Sequence, residues 1–172
     1  MKRLKIFVME NDKYKVLFVC LGNICRSPSA EAVFKACVTR AGMEEQVEID
    51  SAGIIGYHAG EGADPRMKRH ASRRGYRLTS ISRPVVAADF DRFDLIIGMD
   101  DQNIRDLRRK APQGKHRAEI RRMTDFSVRF DETEVPDPYY GGADGFEYVL
   151  DLLEDACEGV LRYVEKQIEI RK

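Results

Sequence analysis

Cys20 and Arg26 stand six residues apart in Val16-Leu17-Phe18-Val19-Cys20-Leu21-Gly22-Asn23-Ile24-Cys25-Arg26-Ser27-Pro28. A thiol and a guanidinium at that spacing can work on one anion. The sulfur is a nucleophile, and the planar fork of donors grips two phosphate oxygens at once. The surrounding pattern supplies a place for such an anion. Val16 to Val19 is a short apolar run, fit for a strand covered on both faces. Gly22 and Asn23 tolerate the positive φ of a tightly curled loop. Ser27 or Ser29 suits a helix N-cap, and Pro28 suits a first turn. A strand end that curls into a helix start gathers the backbone N–H groups of residues 21 to 26 around one point. The positive end of the helix dipole points at the same spot. This field favours thiolate over thiol at Cys20, and Ser27 can donate a hydrogen bond to the sulfur. A phosphate-like anion is the expected ligand. Cys20 and Arg26 alone also fit a buried strand cysteine beside an ordinary loop. The agreement of strand, glycine, cap and helix along CLGNICRSPSAEA is the more specific signal.

A second group lies far along the chain. Asp131 to Gly142 is acidic and rich in Pro and Gly, hence a loop, and loops often carry catalytic groups. Pro136 and Pro138 flank Asp137 and restrict its backbone, which fixes where the carboxylate points. By residue type alone, a surface turn fits equally well.

The string VLFVCLGNICRSPSAEAVF resembles the low-molecular-weight protein tyrosine phosphatases, as do Asp50-Ser51-Ala52-Gly53, Ile97-Gly98-Met99-Asp100 and Val135-Pro136-Asp137-Pro138-Tyr139-Tyr140. The resemblance runs from about Lys15 to the C-terminus. It implies hydrolysis of protein phosphotyrosine, and of small aryl phosphates, through a phosphocysteine intermediate. In it Cys20 is the nucleophile, Arg26 the phosphate binder and Asp137 the general acid and base. Leu21, Gly22, Asn23, Ile24, Cys25 and Ser27 form the phosphate loop. Tyr139 and Tyr140 line the cleft beside the substrate ring, and Tyr57 is its aromatic wall. Ser51 bonds to Asn23 and supports the loop. The resemblance implies no metal and no other cofactor. The implied partner is a phosphotyrosine protein; bacterial relatives suggest a tyrosine kinase of polysaccharide export, which no residue here names.

The remaining elements must position these groups. Ala30, Val33, Phe34, Cys37, Val38 and Ala41 make one apolar helix face that ends at Gly42. Val47 to Ser51 alternates like a second strand, followed by a long loop carrying Tyr57 and His58. His58 reads as a loop histidine or substrate contact rather than a catalyst. Asp64-Pro65 opens a helix that closes at Gly75. Its Arg66, Lys68, Arg69, Arg73 and Arg74 form a solvated face or attract acidic peptide. Leu95 to Met99 is a third buried strand, and Asp100 caps a helix ending before Pro112. Ala118 to Arg122 is a short, charged edge strand. A last helix from Ala143 buries a stripe from Phe146 to Ile168. Strands alternating with helices predict an α/β fold, a parallel sheet with helices on both faces. The resemblance adds four strands in flavodoxin-like order.

Composition bounds the rest. A chain of 172 residues suits one domain, expected over residues 14–172 behind an N-terminal extension, 1–13, that reads as a tail or short strand. Charged residues make up 34% and balance to a net charge of zero, so no nucleic-acid partner is demanded. No apolar run is long enough for membrane insertion, and the start lacks a signal-peptide pattern, so the expected location is cytoplasmic. The four cysteines are expected as free thiols, with Cys37 and Cys157 in the core. Cys25 shares the curled loop with Cys20. A cradle can bring their Cα atoms within the roughly 4.4 to 6.8 Å that a disulfide needs, which suggests redox regulation. Thiol-dependent arsenate reductases share this fold but need relay cysteines, and none lies between residues 38 and 156. Protein arginine phosphatases typically carry Thr where this chain has Ile24. A catalytically dead anion-binding module would usually lack Cys20, Arg26 or Asp137.

Overall fold

The computed structural model describes residues 13–172. The N-terminal extension, apart from Lys13, lies outside the described residues. Four strands, β1 (Tyr14–Cys20), β2 (Val47–Gly53), β3 (Leu95–Gly98) and β4 (Glu119–Arg122), form one parallel sheet in the order β2-β1-β3-β4. The chain winds outward first to β2, then returns past β1 to β3. That reversal opens a crevice at the carboxyl end of β1, where sheets of this kind take ligands.

Alternation along β1 explains why both faces are covered. Tyr14, Val16, Phe18 and Cys20 join one buried cluster, and Leu17 and Val19 join another. The first cluster packs under α1 (Arg26–Arg40) and α5 (Ala143–Arg171), with Phe18 edge-on to Phe34 at 5.6 Å between ring centroids. The second packs under α3 (Asp89–Arg92) and α4 (Asp101–Lys110) through Phe90, Phe93 and Leu107. The sequence reading did not anticipate α3, whose four residues are too few for a helical period to show. The helix α2 (Pro65–Arg73) packs through Met67 and Ala71 against Phe146 and Leu150 of α5. Cys37 and Cys157 are buried in the first cluster, as their positions on apolar faces implied.

Two expected caps form. Asp64 accepts bonds from the N–H groups of Arg66 and Met67, and Asp100 from that of Asn103. The serines of α1 do not cap it. The helix starts at Arg26 with Cys25 as N-cap and no side-chain bond there, while the Ser29 hydroxyl donates back to the Cys25 carbonyl at 2.7 Å. Gly159 lets α5 lie on the 3₁₀ turn Met123–Phe126, since a Cβ there would sit 1.9 Å from the Phe126 carbonyl oxygen.

At the opposite end of the sheet from the crevice, Asp94 binds several segments together. Its buried carboxylate accepts from the Lys15 N–H at 2.8 Å, from Arg117 at 2.7 Å and from Arg171 near the end of α5. Burial alone would raise this carboxyl group, but the bonds from Arg171, Lys15 and Arg117 outweigh it and hold it below the usual carboxylate range. Its contribution to stability is therefore complete above the unfolded-state value and is lost as pH falls through the lower folded value. Asp94→Asn should lower stability at neutral pH by about 1.5 to 3 kcal/mol, the usual worth of hydrogen bonds to a charged group. It should also flatten the fall in stability below about pH 4. Urea unfolding across pH checks both; a variant that loses stability as steeply in acid as the parent would remove Asp94 from this account.

Candidate active site

The curled loop after β1 holds its shape through Asn23. This residue has φ of 58°, the left-handed region that Asn tolerates better than most side chains. Gly22, expected to share that conformation, does not adopt it. The Asn23 amide donates to Ser27 Oγ at 2.8 Å and Ser51 Oγ at 3.0 Å, while its carbonyl accepts from the Arg83 N–H at 3.1 Å. Asn23, Ser27 and Ser51 are all buried, so they stand behind the loop rather than in the cleft. Ser82, which the sequence reading did not single out, fastens the outside by donating to the Gly22 carbonyl at 2.9 Å.

The loop so held leaves its donors unspent. Among the described residues, no backbone N–H of residues 21 to 26 donates within the protein. Cys20 Sγ lies 3.1 Å from Ser27 Oγ, a hydrogen bond between strand end and helix start. Arg26 is buried, and its Nη1 donates to Asp100 Oδ2 at 2.7 Å and to the Val135 carbonyl at 3.1 Å. Burial works against the Arg26 charge, but Cys20, the Asp100 hydrogen bond and Asp137 outweigh it and raise the group above its ordinary value. The guanidinium therefore stays charged. Asp100 does more than cap α4: one oxygen holds the helix and the other aims Arg26. Spacing from Asp100 shows a cap but not its second partner, which comes from 74 residues earlier.

Asp137 closes the far wall. Its Oδ2 lies 3.5 Å from Arg26 Nη2, and its Oδ1 accepts from the Tyr139 N–H at 3.0 Å. A cleft of about 300 Å³ results. Its lining includes Cys20, Leu21, Gly22, Ile24, Cys25, Arg26, Tyr57, Asp137, Tyr139 and Tyr140. Ile55 and His58 also line it. His58 Nδ1 is paired with Glu61 at 2.8 Å, and its ring edge lies against Gly22, where a Cβ would meet it at 3.1 Å. The rim is aromatic and open: Tyr57 is 82% exposed and Tyr140 91%. Cys25 is a free thiol in the same lining, and burial, then Asp64, push it well above its ordinary value.

The family described as low molecular weight phosphotyrosine protein phosphatase matches residues 15–170. The chain belongs to that family. A Streptomyces coelicolor low molecular weight protein-tyrosine-phosphatase is 48% identical over 160 residues, covering 92% of this chain and 98% of that protein. The crystal structure of an Entamoeba histolytica protein tyrosine phosphatase, with Hepes in its active site, superposes with a TM-score of 0.85 at 48% identity, covering 90% and 99% of the two chains. The Drosophila arginine phosphatase structure gives a TM-score of 0.82 at 30% identity, covering 87% and 96%. Its family and relatives make this chain a protein tyrosine phosphatase acting on phosphoproteins. Among the described residues no helix is long and apolar enough to cross a membrane.

Asn23→Ala would remove three loop bonds and place alanine at positive φ. Since a misplacement of about 1 Å can cost roughly 10²-fold, turnover of an aryl phosphate should fall by about that factor. Ser51→Ala deletes one of those bonds and should cost less. Steady-state kinetics on both variants checks this order.

Proposed function

We propose that this phosphatase cleaves phosphotyrosine in two steps through a phosphocysteine. The observation that carries the reading is that Cys20, Arg26 and Asp137 line one cleft, beside a loop whose N–H groups at residues 21 to 26 have no partner among the described residues. The amides and Arg26 bind the phosphoryl oxygens and meet the charge that develops on them. The Cys20 thiolate attacks phosphorus in line. The P–O bond to the tyrosine breaks as the S–P bond forms, and Asp137 gives its proton to the departing phenolate. Asp137, now a carboxylate, takes a proton from water as that water attacks phosphorus. The thiolate leaves, and phosphate is released. Ser27 Oγ lies 3.1 Å from the sulfur, within hydrogen-bond reach of it. Asp100 keeps Arg26 aimed.

The aromatic rim of Tyr57, Tyr139 and Tyr140 fits a phenyl ring entering the cleft, and Ile24 on its lining supports phosphotyrosine over phosphoarginine. The proposed substrates are phosphotyrosine proteins, a bacterial tyrosine kinase among them.

The departing phenol has a pKa near 10, so protonation by a placed acid should contribute about 10²- to 10⁴-fold. Asp137→Ala should therefore slow phosphocysteine formation steeply for phosphotyrosine and less for an aryl phosphate with an electron-poor ring. Single-turnover rates across such a series, for variants at Asp137, Asp100 and Glu134, identify the acid. A uniform loss at Asp137 would reduce it to shaping the cleft. Cys20→Ser serves as the reference, inactive but still able to bind vanadate.

Reversible redox control is part of the proposal. Peroxide converts the Cys20 thiolate to a sulfenic acid, and the Cys25 thiol then displaces water to form a disulfide. After peroxide and then reductant, the parent should regain activity and Cys25→Ser should not. Equal recovery in both would exclude Cys25 as the protecting thiol.

A further inference from the structure

Arg66 lies at the start of α2, outside the cleft lining, and its side chain is 39% exposed. Its contacts are more numerous than a solvated face requires. Nε and Nη2 grip the two oxygens of Asp64 at 3.2 and 2.9 Å, a bidentate pair. Nη2 also donates to the Tyr139 carbonyl at 3.1 Å. The guanidinium carbon lies 5.4 Å from the centre of the Tyr139 ring and 5.0 Å from that of Phe146.

Both ends of this arrangement reach the site. The Asp64 N–H donates to the Ile24 carbonyl of the anion loop at 2.8 Å. The Tyr139 N–H holds Asp137 Oδ1. A chain of bonds thus runs from Ile24 through Asp64 and Arg66 to Tyr139 and Asp137. On the other side, the acid loop is tied where the Val135 N–H meets the Met99 carbonyl and Arg26 meets the Val135 carbonyl. Beyond Asp137, the Arg66 bond is the one long-range hydrogen bond to residues 138–142 among the described residues; the bond from the Gly141 N–H to the Pro138 carbonyl is local.

We propose that Arg66 is a positioning residue for Asp137, because its fork joins Asp64, and through it the anion loop, to the carbonyl of Tyr139, the residue whose own N–H holds the carboxylate. The inference rests on the reading of Asp137 as the general acid. It gives Arg66 no contact with substrate. Without Arg66 the Tyr139 carbonyl loses its anchor, the Tyr139 main chain shifts and takes its N–H with it, and the acid loses its place while the anion loop keeps its own.

The test is single-turnover phosphocysteine formation over a series of aryl phosphates, for Arg66→Ala, Arg66→Lys, Asp137→Ala and the double variant Arg66→Ala/Asp137→Ala. Arg66→Ala should slow phosphotyrosine about 10-fold, a fraction of the roughly 10²-fold that a 1 Å misplacement can cost. The loss should shrink for electron-poor rings. Affinity for inorganic phosphate, measured by competition, should stay within about 2-fold, which also reports that the variant is folded. Lys restores a charge, with its donors on a single nitrogen and no fork, so Arg66→Lys should fall between Arg66→Ala and the parent. On the Asp137→Ala background, Arg66→Ala should add no leaving-group-dependent loss. A loss that is uniform over the series, or undiminished without Asp137, would overturn the inference and leave Arg66 structural. Steep dependence for Asp137→Ala with none for either Arg66 variant would overturn it while leaving Asp137 as the acid. A flat response for Asp137→Ala would remove the acid assignment and this inference with it.

Discussion

Everything at this site depends on a loop that withholds its backbone donors from the protein. Folded chains rarely leave several successive N–H groups without a partner in the fold. Here residues 21 to 26 do so in succession, and the surrounding bonds hold them there. Asn23, in the left-handed region, is gripped by Ser27, Ser51 and the Arg83 N–H. The anion proposed for this loop takes donors from many directions and carries the charge the helix dipole favours.

The positive charge needs its own scaffold. Arg26 is buried, and a buried guanidinium without a carboxylate would be unstable. Asp100 supplies the partner and at the same time caps α4. One carboxylate therefore links the geometry of a helix on one face of the sheet to the aim of a side chain on the other. The acid loop is placed by the same groups: Arg26 holds the Val135 carbonyl and faces Asp137. The proposed phosphoryl binder and the proposed acid are physically connected, since the one Arg26 guanidinium holds the Val135 carbonyl and faces Asp137.

The parallel sheet makes this possible by bringing distant segments to one edge. The strand order returns the chain past β1, so the loop after β1 meets the exit of β3 and, through the crevice, the segment at 135–140. The far end of the sheet is closed by Asp94 and its two arginines, which join strand starts to the end of α5. Chemistry and fastening occupy opposite ends, so the strained loop does not have to supply stability.

Much was legible from local sequence. Apolar runs and spacing predicted the four strands and the long helices, because periodicity survives without tertiary contacts. Asp64 and Asp100 were readable as caps, since a cap needs only its own helix. Cys20, Arg26 and the curled loop between them lie within one short window, and the flanking prolines singled out Asp137. Tertiary structure decided what local pattern cannot encode. It decided between the two roles local sequence offered Ser27: the side chain does not cap α1 but lies beside the Cys20 sulfur. It gave Asp100 a second oxygen's worth of purpose, brought His58 against Gly22, and laid Arg66 across Tyr139. The Asp100, His58 and Arg66 contacts each join residues tens of positions apart, and side-chain contacts of that reach leave no periodicity to read. The sequence determined which groups could do chemistry; the sheet's winding decided which of them meet.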